Sequence, residues 1–363
     1  MDPLRKLIAS GIAVCALAAA GVAQAASWQV AAGEQARPPA GTPKQATLDL
    51  FFPSKLVVDA GDKVTFSSAT FHTVTYLGKL KPPPFFTPDP AKSTYGGIED
   101  ATGEPFYFNG LPRFVYNLQA FGPFGGTTVS GTTPVSSGVL SPRTPKSPPA
   151  TATYTFPKPG TYRLVCNVHP GMKIDVVVKP AGSPVPQTPA QVEAQALAQT
   201  NAAWAKIKAE DAAANPPAKT VYAGIGSGAT TLAFYPKVLK VKVGTTVTFV
   251  NKSPNEPHNE AFISKAGQKW LQKFQQKTDL LPLGPKSPNQ VGPYLIYGTE
   301  PKGKYQYDGT NHGNGFLATP VTVDFKAPPT PRAVSVTFTK PGTYHYFCQI
   351  HGPDMSGNIV VTS

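Results

Sequence analysis

Two short loops in this chain carry side chains that together could hold a soft metal ion. Cys166-Asn-Val-His169-Pro-Gly-Met172 places a thiol, an imidazole and a thioether on one loop, and Cys348-Gln-Ile-His351-Gly-Pro-Asp-Met355 repeats the set near the C-terminus. Such donors suit copper in either oxidation state better than magnesium or calcium, which prefer oxygen. Each loop is one ligand short. His72 and His258, each following an alternating strand pattern, complete two sets of two histidines, one cysteine and one methionine, the composition of a one-electron copper site.

The inventory favours this reading over chance. The 363 residues include three cysteines, three methionines and six histidines. Apart from Met1 and Cys15, every cysteine and methionine lies in the two loops. Methionine used as core filler would be scattered through the apolar runs, whereas here Val, Leu, Phe and Tyr fill them.

The N-terminus reads as an export signal. A short basic region with Arg5 and Lys6 precedes an apolar, alanine-rich run from Leu7 to Val22, and Ala23-Gln24-Ala25 fits a small-residue cleavage site. The run falls short of the ~20 strongly apolar residues a membrane span needs. We therefore expect residues 1–25 to be removed, no transmembrane segment after cleavage, and a periplasmic or extracellular location. An oxidising compartment would allow Cys166 and Cys348 to pair. Each sits beside its own histidine and methionine, however, so one metal-protected thiol per unit is the expectation.

The elements that must position these residues occur twice. Thr47-Leu48-Asp49-Leu50-Phe51-Phe52-Pro53, with Leu56, Gly61, Val64 and Phe66, returns as Thr231-Leu232-Ala233-Phe234-Tyr235-Pro236 with Leu239, Gly244, Val247 and Phe249. Phe156-Pro-Lys-Pro-Gly-Thr-Tyr162 returns as Phe338-Thr-Lys-Pro-Gly-Thr-Tyr344. A nearly constant offset at both ends of the unit signals a duplicated domain. Leu56, Val58, Val64 and Phe66 alternate with polar residues, as do Tyr162, Leu164 and Cys166, and again Tyr344, Tyr346 and Cys348, so each cysteine ends a strand. The expected order is an N-terminal extension at 26–46, domains at 47–180 and 221–363, and a linker at 181–220. Within the linker, Pro189 to Ala214 is rich in Ala, Gln, Glu and Lys. Thr188 with Gln191 forms a capping box, and Val192, Ala196, Ala203, Trp204 and Ile207 form one apolar stripe. The stripe predicts a packed helix.

With Pro-Gly-Thr-Tyr leading into Cys-x-x-His-x-x-Met, and a histidine after a Gly-x-x-Val-x-Phe strand, both units resemble cupredoxins of the plastocyanin and amicyanin type. The resemblance implies an all-β fold: two tandem Greek-key β-sandwiches with long insertions, joined by a linker containing one α-helix. It implies two copper ions per chain, held by His72, Cys166, His169 and Met172 and by His258, Cys348, His351 and Met355. It also implies that a backbone amide beside the upstream histidine approaches the thiolate, here from Thr73 or Asn259, and that His169 and His351 lie near the surface as electron outlets. The spans from His72 to Cys166 and from His258 to Cys348 are about twice what a minimal member needs. They are rich in aromatics, including Phe85, Phe86, Tyr107, Phe108, Trp270, Phe274 and Tyr297, which predicts a satellite core.

His345 lies three residues before Cys348 and so points to the opposite strand face; His312 reads as a loop residue. Neither the His-x-His pairs of a multicopper oxidase nor the Cys-His pair of a copper nitrite reductase is present. No catalytic residue is assigned, and the expected function is electron transfer. The alternatives are an envelope copper carrier or storage protein and an oxidoreductase that takes electrons in through one copper. The formal net charge is +13. Its Lys and Arg are scattered without a dense cluster, which argues against nucleic acid. Transient acidic redox proteins or an anionic envelope surface are the expected partners.

Overall fold

The computed structural model describes residues 26–34, 38–144, 146–278, 291–323 and 330–363, and of residues 273–278 the backbone alone. The expected signal peptide and the side chain of Phe274 lie outside the described residues. The first half runs through β1 (Ser27–Ala32), β2 (Ala46–Leu48), β3 (Phe51–Phe52), β4 (Lys55–Asp59), β5 (Lys63–Ser68) and β6 (His72–Tyr76). It continues with β7 (Phe86–Pro88), β8 (Phe114–Tyr116), α1 (Leu118–Phe121), β9 (Pro123–Phe124), β10 (Val135–Leu140), β11 (Ala150–Thr155), β12 (Gly160–Val165) and β13 (Lys173–Lys179). After α2 (Pro189–Ala212), the second half holds β14 (Thr220–Ile225), β15 (Ala229–Tyr235), β16 (Val238–Lys242), β17 (Thr246–Asn251) and β18 (Ala261–Phe262). It ends with α3 (Lys265–Thr278), α4 (Pro293–Tyr297), β19 (Gln306–Tyr307), β20 (Leu317–Ala318), β21 (Ala333–Phe338), β22 (Gly342–Cys348) and β23 (Gly352–Thr362).

The fold is all-β, built as two sandwiches of like topology. In the first, the sheet β11-β5-β1-β3 packs on β4-β13-β12-β6-β10-β9; in the second, β19-β21-β17-β14-β15-β2 packs on β16-β23-β22-β18-β20. The correspondence extends to register. β1 runs parallel to β5 with Val30 opposite Phe66, and β14 runs parallel to β17 with Val221 opposite Phe249. β4 is parallel to β13 as β16 is to β23. Alternation along these strands sends one face inward, so Val64, Phe66, Leu164 and Ile174 fill one core and Val247, Phe249, Tyr346 and Ile359 the other.

Two strands near the N-terminus pair beyond the stretch where the repeat is read. The segment placed outside the first unit supplies β1, the counterpart of β14, so the first sandwich begins at Ser27. Its short Trp28/Val30 alternation precedes the stretch in which the repeat is legible. β2 crosses over and pairs with β15, Leu48 opposite Ala229, adding a strand from the first half to the second half's sheet.

Helix α2 has the expected cap: the Gln191 amide donates to Thr188 Oγ1 and the Thr188 amide to Gln191 Oε1. Its stripe of Ala196, Ala203, Trp204 and Ile207 is buried against Ala31 and Phe52 of one sandwich and Leu48, Ile225 and Ala229 in the sheet of the other. The helix is a wedge between the halves. The two aromatic insertions meet in a third core, where Tyr95, Ile98, Phe106 and Phe108 pack with Leu271, Tyr294, Leu295 and Phe316. His312 adds a polar clasp between the insertions, with Nδ1 3.2 Å from Asp100 Oδ2 and Nε2 2.9 Å from Glu300 Oε1. Burial acts to lower its pKa, but the bonds and charges of Glu300 and Asp100 outweigh burial and hold it above 6.5.

Trp204→Ala should destabilise the chain by about 3–5 kcal/mol in denaturant unfolding, because the cavity would open between two sandwiches and neither could close it alone. Because the folded pKa of His312 is raised, its contribution is complete below pH 6.5 and fades as pH rises through the folded value. Asp100, held below 3.8 despite burial by bonds from Thr102, Glu104 and His312, keeps its share above that value. His312→Gln should therefore lose about 1 kcal/mol relative to the parent near pH 5–6, with the gap closing at alkaline pH in unfolding curves taken across the range.

Candidate metal centres

Each centre forms where the cysteine strand and the strand led by the upstream histidine end together. β6 pairs with β12, Thr75 opposite Val165, so His72 at the head of β6 and Cys166 just past β12 meet at one end of the sheet. The loop from Cys166 is tied back by the Cys166 amide donating to the Met172 carbonyl at 3.0 Å and the Met172 amide to the His169 carbonyl at 3.1 Å. This turn swings His169 over the thiol. In the second half β18 pairs with β22, Ala261 opposite Phe347, and His258 is fixed just before β18 by a bridge to Thr322. Met355 lies within β23 rather than on a loop.

Two donor triangles result, both buried or nearly so. In the first, Cys166 Sγ lies 3.9 Å from His72 Nδ1 and 3.5 Å from His169 Nδ1, and the two nitrogens are 2.9 Å apart. In the second, Cys348 Sγ lies 4.0 Å from His258 Nδ1 and 3.5 Å from His351 Nδ1, with 3.1 Å between the nitrogens. A point equidistant from the three donors is about 2.0 Å from each in the first triangle and about 2.1 Å in the second, close to the ~2.0–2.3 Å of transition-metal bonds to imidazole and thiolate. The residues present therefore fit a single small ion in each. Met172 and Met355 are buried, each in the same core cluster as the cysteine of its own loop. The two cysteines are free thiols in separate sandwiches. His345, exposed and 3.3 Å from Asn358 Oδ1, belongs to neither centre.

The surroundings favour a thiolate. Burial works against ionising Cys166, but the imidazoles of His169 and His72 outweigh it and hold the thiol well below its ordinary range. The Thr73 amide donates to Cys166 Sγ at 3.3 Å, the contact expected from the residue after the upstream histidine. The same residue braces the loop: Thr73 Oγ1 accepts from the Asn167 amide at 2.7 Å, and Asn259 Oδ1 accepts from the Gln349 amide at 2.9 Å.

Several residues of the site escaped the motif reading. Gly33, just past β1, and Gly224, near the end of β14, occupy equivalent places, with φ of 86° and 64°, and a Cβ on either would lie 2.4 Å from Nε2 of His72 or His258. Glycine is needed there because the ring takes the space a side chain would fill. The paired Ala32-Gly33 and Ala223-Gly224 were the available signal. Ser253 Oγ lies 2.7 Å from His258 Nε2 and fixes that ring.

The larger surprise concerns the loop histidines, expected near the surface. Their side chains are only 10% and 13% exposed, and both turn Nε2 toward one buried carboxylate: His169 is 3.2 Å from Glu256 Oε1 and His351 is 3.2 Å from Glu256 Oε2. Burial acts to raise the Glu256 pKa, but the two imidazoles outweigh it and hold Glu256 ionised. Asp49, fully buried with Oδ1 4.0 Å from His169 Nε2, is pushed up to about 8 by burial and by Glu256. The two halves thus face each other through their candidate centres. A cavity of about 590 Å³ adjoins them, lined by His72, His169, His351 and Glu256 and by the exposed side chains of Phe71 and Ile350.

No protein-family model and no curated protein matches the chain. Similar solved structures include a copper(I) form of a mutant amicyanin, 22% identical, covering 42% of this chain and 88% of that one at a TM-score of 0.23. Another is a purple cupredoxin from Nitrosopumilus maritimus, 20% identical, covering 40% of this chain and all of that one at a TM-score of 0.20. At these values the likeness says nothing of chemistry, which stands on the donor geometry.

Gly33→Ala and Gly224→Ala should each displace one upstream histidine. Metal titrations are expected to show affinity falling about 10–100-fold at the altered centre, the usual cost of disturbing a ligand's support, with the other centre unchanged.

Proposed function

We propose that the protein is an exported electron carrier with two type 1 copper centres, one per sandwich. The observation that carries this reading is the repeated triangle of one thiol and two Nδ1 atoms, sized for a single ion, with a buried methionine in the core cluster of each cysteine. A thiolate, two imidazoles and a thioether favour copper over harder ions, and a bound copper would supply one-electron chemistry between Cu(I) and Cu(II). His72, Cys166, His169 and Met172 would hold the first ion; His258, Cys348, His351 and Met355 would hold the second. Strand ends and loops tied back by backbone hydrogen bonds hold these donors, so the cage would change little on gaining or losing an electron. The amide of Thr73 bonded to Cys166 Sγ would raise the potential of the first centre by stabilising electron density on sulfur.

The working units in this reading are the two sandwiches, with β1 belonging to the first and the linker near 181–220 holding α2. The cavity bearing Phe71 and Ile350 is the natural contact for a transient redox partner. The net charge of +13 favours an acidic partner or an anionic envelope surface. Among the described residues no helix is long and apolar enough to cross a membrane.

The purified chain loaded with copper should bind two ions and turn intensely blue when oxidised. Cys166→Ser and Cys348→Ser should each remove roughly half of the colour and one ion, and the double variant all of it. A colourless oxidised protein, or a single ion per chain, would refute the reading.

A further inference from the structure

We propose that Glu256 is a relay: given the two copper centres of the preceding reading, its carboxylate joins the His169 and His351 imidazoles into a route along which single electrons pass between the two halves.

The geometry is specific. Glu256 is 5% exposed, and each of its oxygens serves a different centre at 3.2 Å. Because Nδ1 of each imidazole faces its own donor triangle, Nε2–H is the edge turned to the carboxylate, which accepts a hydrogen bond from His351 and holds His169 as a close ion-pair contact. The continuous path runs from His169 Nδ1 across its ring to Nε2, through the carboxylate, and across the ring of His351 to Nδ1. Hydrogen bonds of this kind also fix tautomer and ring orientation.

The placement is built from both halves. Glu256 stands two residues before His258 of the second centre but reaches the loop of the first. Its neighbour Asn255 clamps that loop by donating Nδ2–H to the Pro170 carbonyl and accepting the Gly228 amide at 2.8 Å. Asp49 is locked across the same seam, its amide donating to the Gly228 carbonyl and its Oδ2 accepting from Thr230 at 3.0 Å. The residue two before the upstream histidine of the first sandwich is Thr70, bonded to Glu34. The carboxylate is therefore a feature of the seam and not of the repeated unit. A seam that needed only packing would be as stable, or more so, with an apolar side chain there, since burying a charge costs desolvation.

The step balances. One electron leaves the His72, Cys166, His169 set, oxidising Cu(I) to Cu(II), and arrives at the His258, Cys348, His351 set, reducing Cu(II) to Cu(I), or the reverse. No bond breaks, and both Nε2–H···Glu256 contacts persist, so no proton is released.

The test uses the full mature chain with both copper ions bound and a radiolytically generated organic radical as a substoichiometric reductant. Wild type should show a concentration-dependent reduction followed by a first-order phase, independent of protein concentration, as the electron redistributes. That phase should be absent in Cys166→Ser and Cys348→Ser. It should slow about 10-fold or more in Glu256→Leu, the lower end of the cost of removing a ligand's hydrogen-bonded partner, and by less in Glu256→Gln. Pulsed electron-spin measurements on the oxidised forms should give the same copper–copper distance in wild type and both variants, so that a slower phase cannot come from movement of the halves. In the diamagnetic Cu(I) protein, two slowly exchanging imidazole N–H resonances should be present and both should be altered by Glu256→Leu. If Glu256→Leu does not fold with two ions, Glu256→Gln decides. An unchanged first-order rate in the folded variant, its absence in a blue wild type, or a third tightly bound ion at Asp49, His169 and Glu256 would overturn the relay alone; a colourless wild type would overturn the copper reading with it.

Discussion

A charged carboxylate can remain in a protein interior only if hydrogen bonds replace the water it has lost. Glu256 meets that condition because two imidazoles, one from each half of the chain, face its two oxygens, His351 in a hydrogen bond and His169 in an ion-pair contact at 3.2 Å. Nearly everything else about the arrangement of the halves serves this contact. If the loop bearing His169 drew back, a buried charge would be left with one partner, a loss that typically costs several kcal/mol, about 3–5 for a broken buried pair. The candidate centres are thus held to each other as firmly as to their own sheets.

Three separate devices keep the halves in place. β2 leaves the first sandwich to extend the second, and its pairing with β15 sets the register of Asp49 against Gly228 and Thr230. Helix α2 drives Trp204 and Ile207 between the two sheets. The insertions, instead of covering their own sandwiches separately, merge their aromatic side chains into one core with the His312 clasp at its edge. Each device draws residues from both halves, so burial that neither half could achieve alone stabilises the pair. This explains why the insertions are so long and so aromatic.

The two centres are alike in their donors and differ in their support. The glycine that admits the upstream ring, the residue that braces the loop after cysteine and the strand pairing are equivalent in both. His258 is fixed by Ser253 at Nε2, whereas His72 Nε2 has no hydrogen-bond partner among the described residues. The second loop is longer by one residue and runs straight into a strand. With the proposed copper ions bound, such differences at the ligands' outer edges would give the two centres different potentials.

Much was legible in the residues alone. The loop motifs and the two upstream histidines singled out eight candidate donors, of which the structure draws His72, Cys166 and His169, and His258, Cys348 and His351, into two clusters; the alternation of Val64 with Phe66 and of Tyr346 with Cys348 gave the strands and their buried faces, and Thr188 with Gln191 marked the start of α2. These are local matters, fixed by side-chain type and by periods of two or 3.6 residues, and a chain cannot hide them. The reach of β1 and β2, the merging of the insertions, the role of Gly33 and Gly224, and above all the turning of His169 and His351 away from solvent were decided by tertiary structure. Each depends on what lies opposite across a gap of many residues. A lone Glu256 carries no mark of its partners in the sequence, because a carboxylate's role is set by the dielectric and the donors around it, and only packing supplies those.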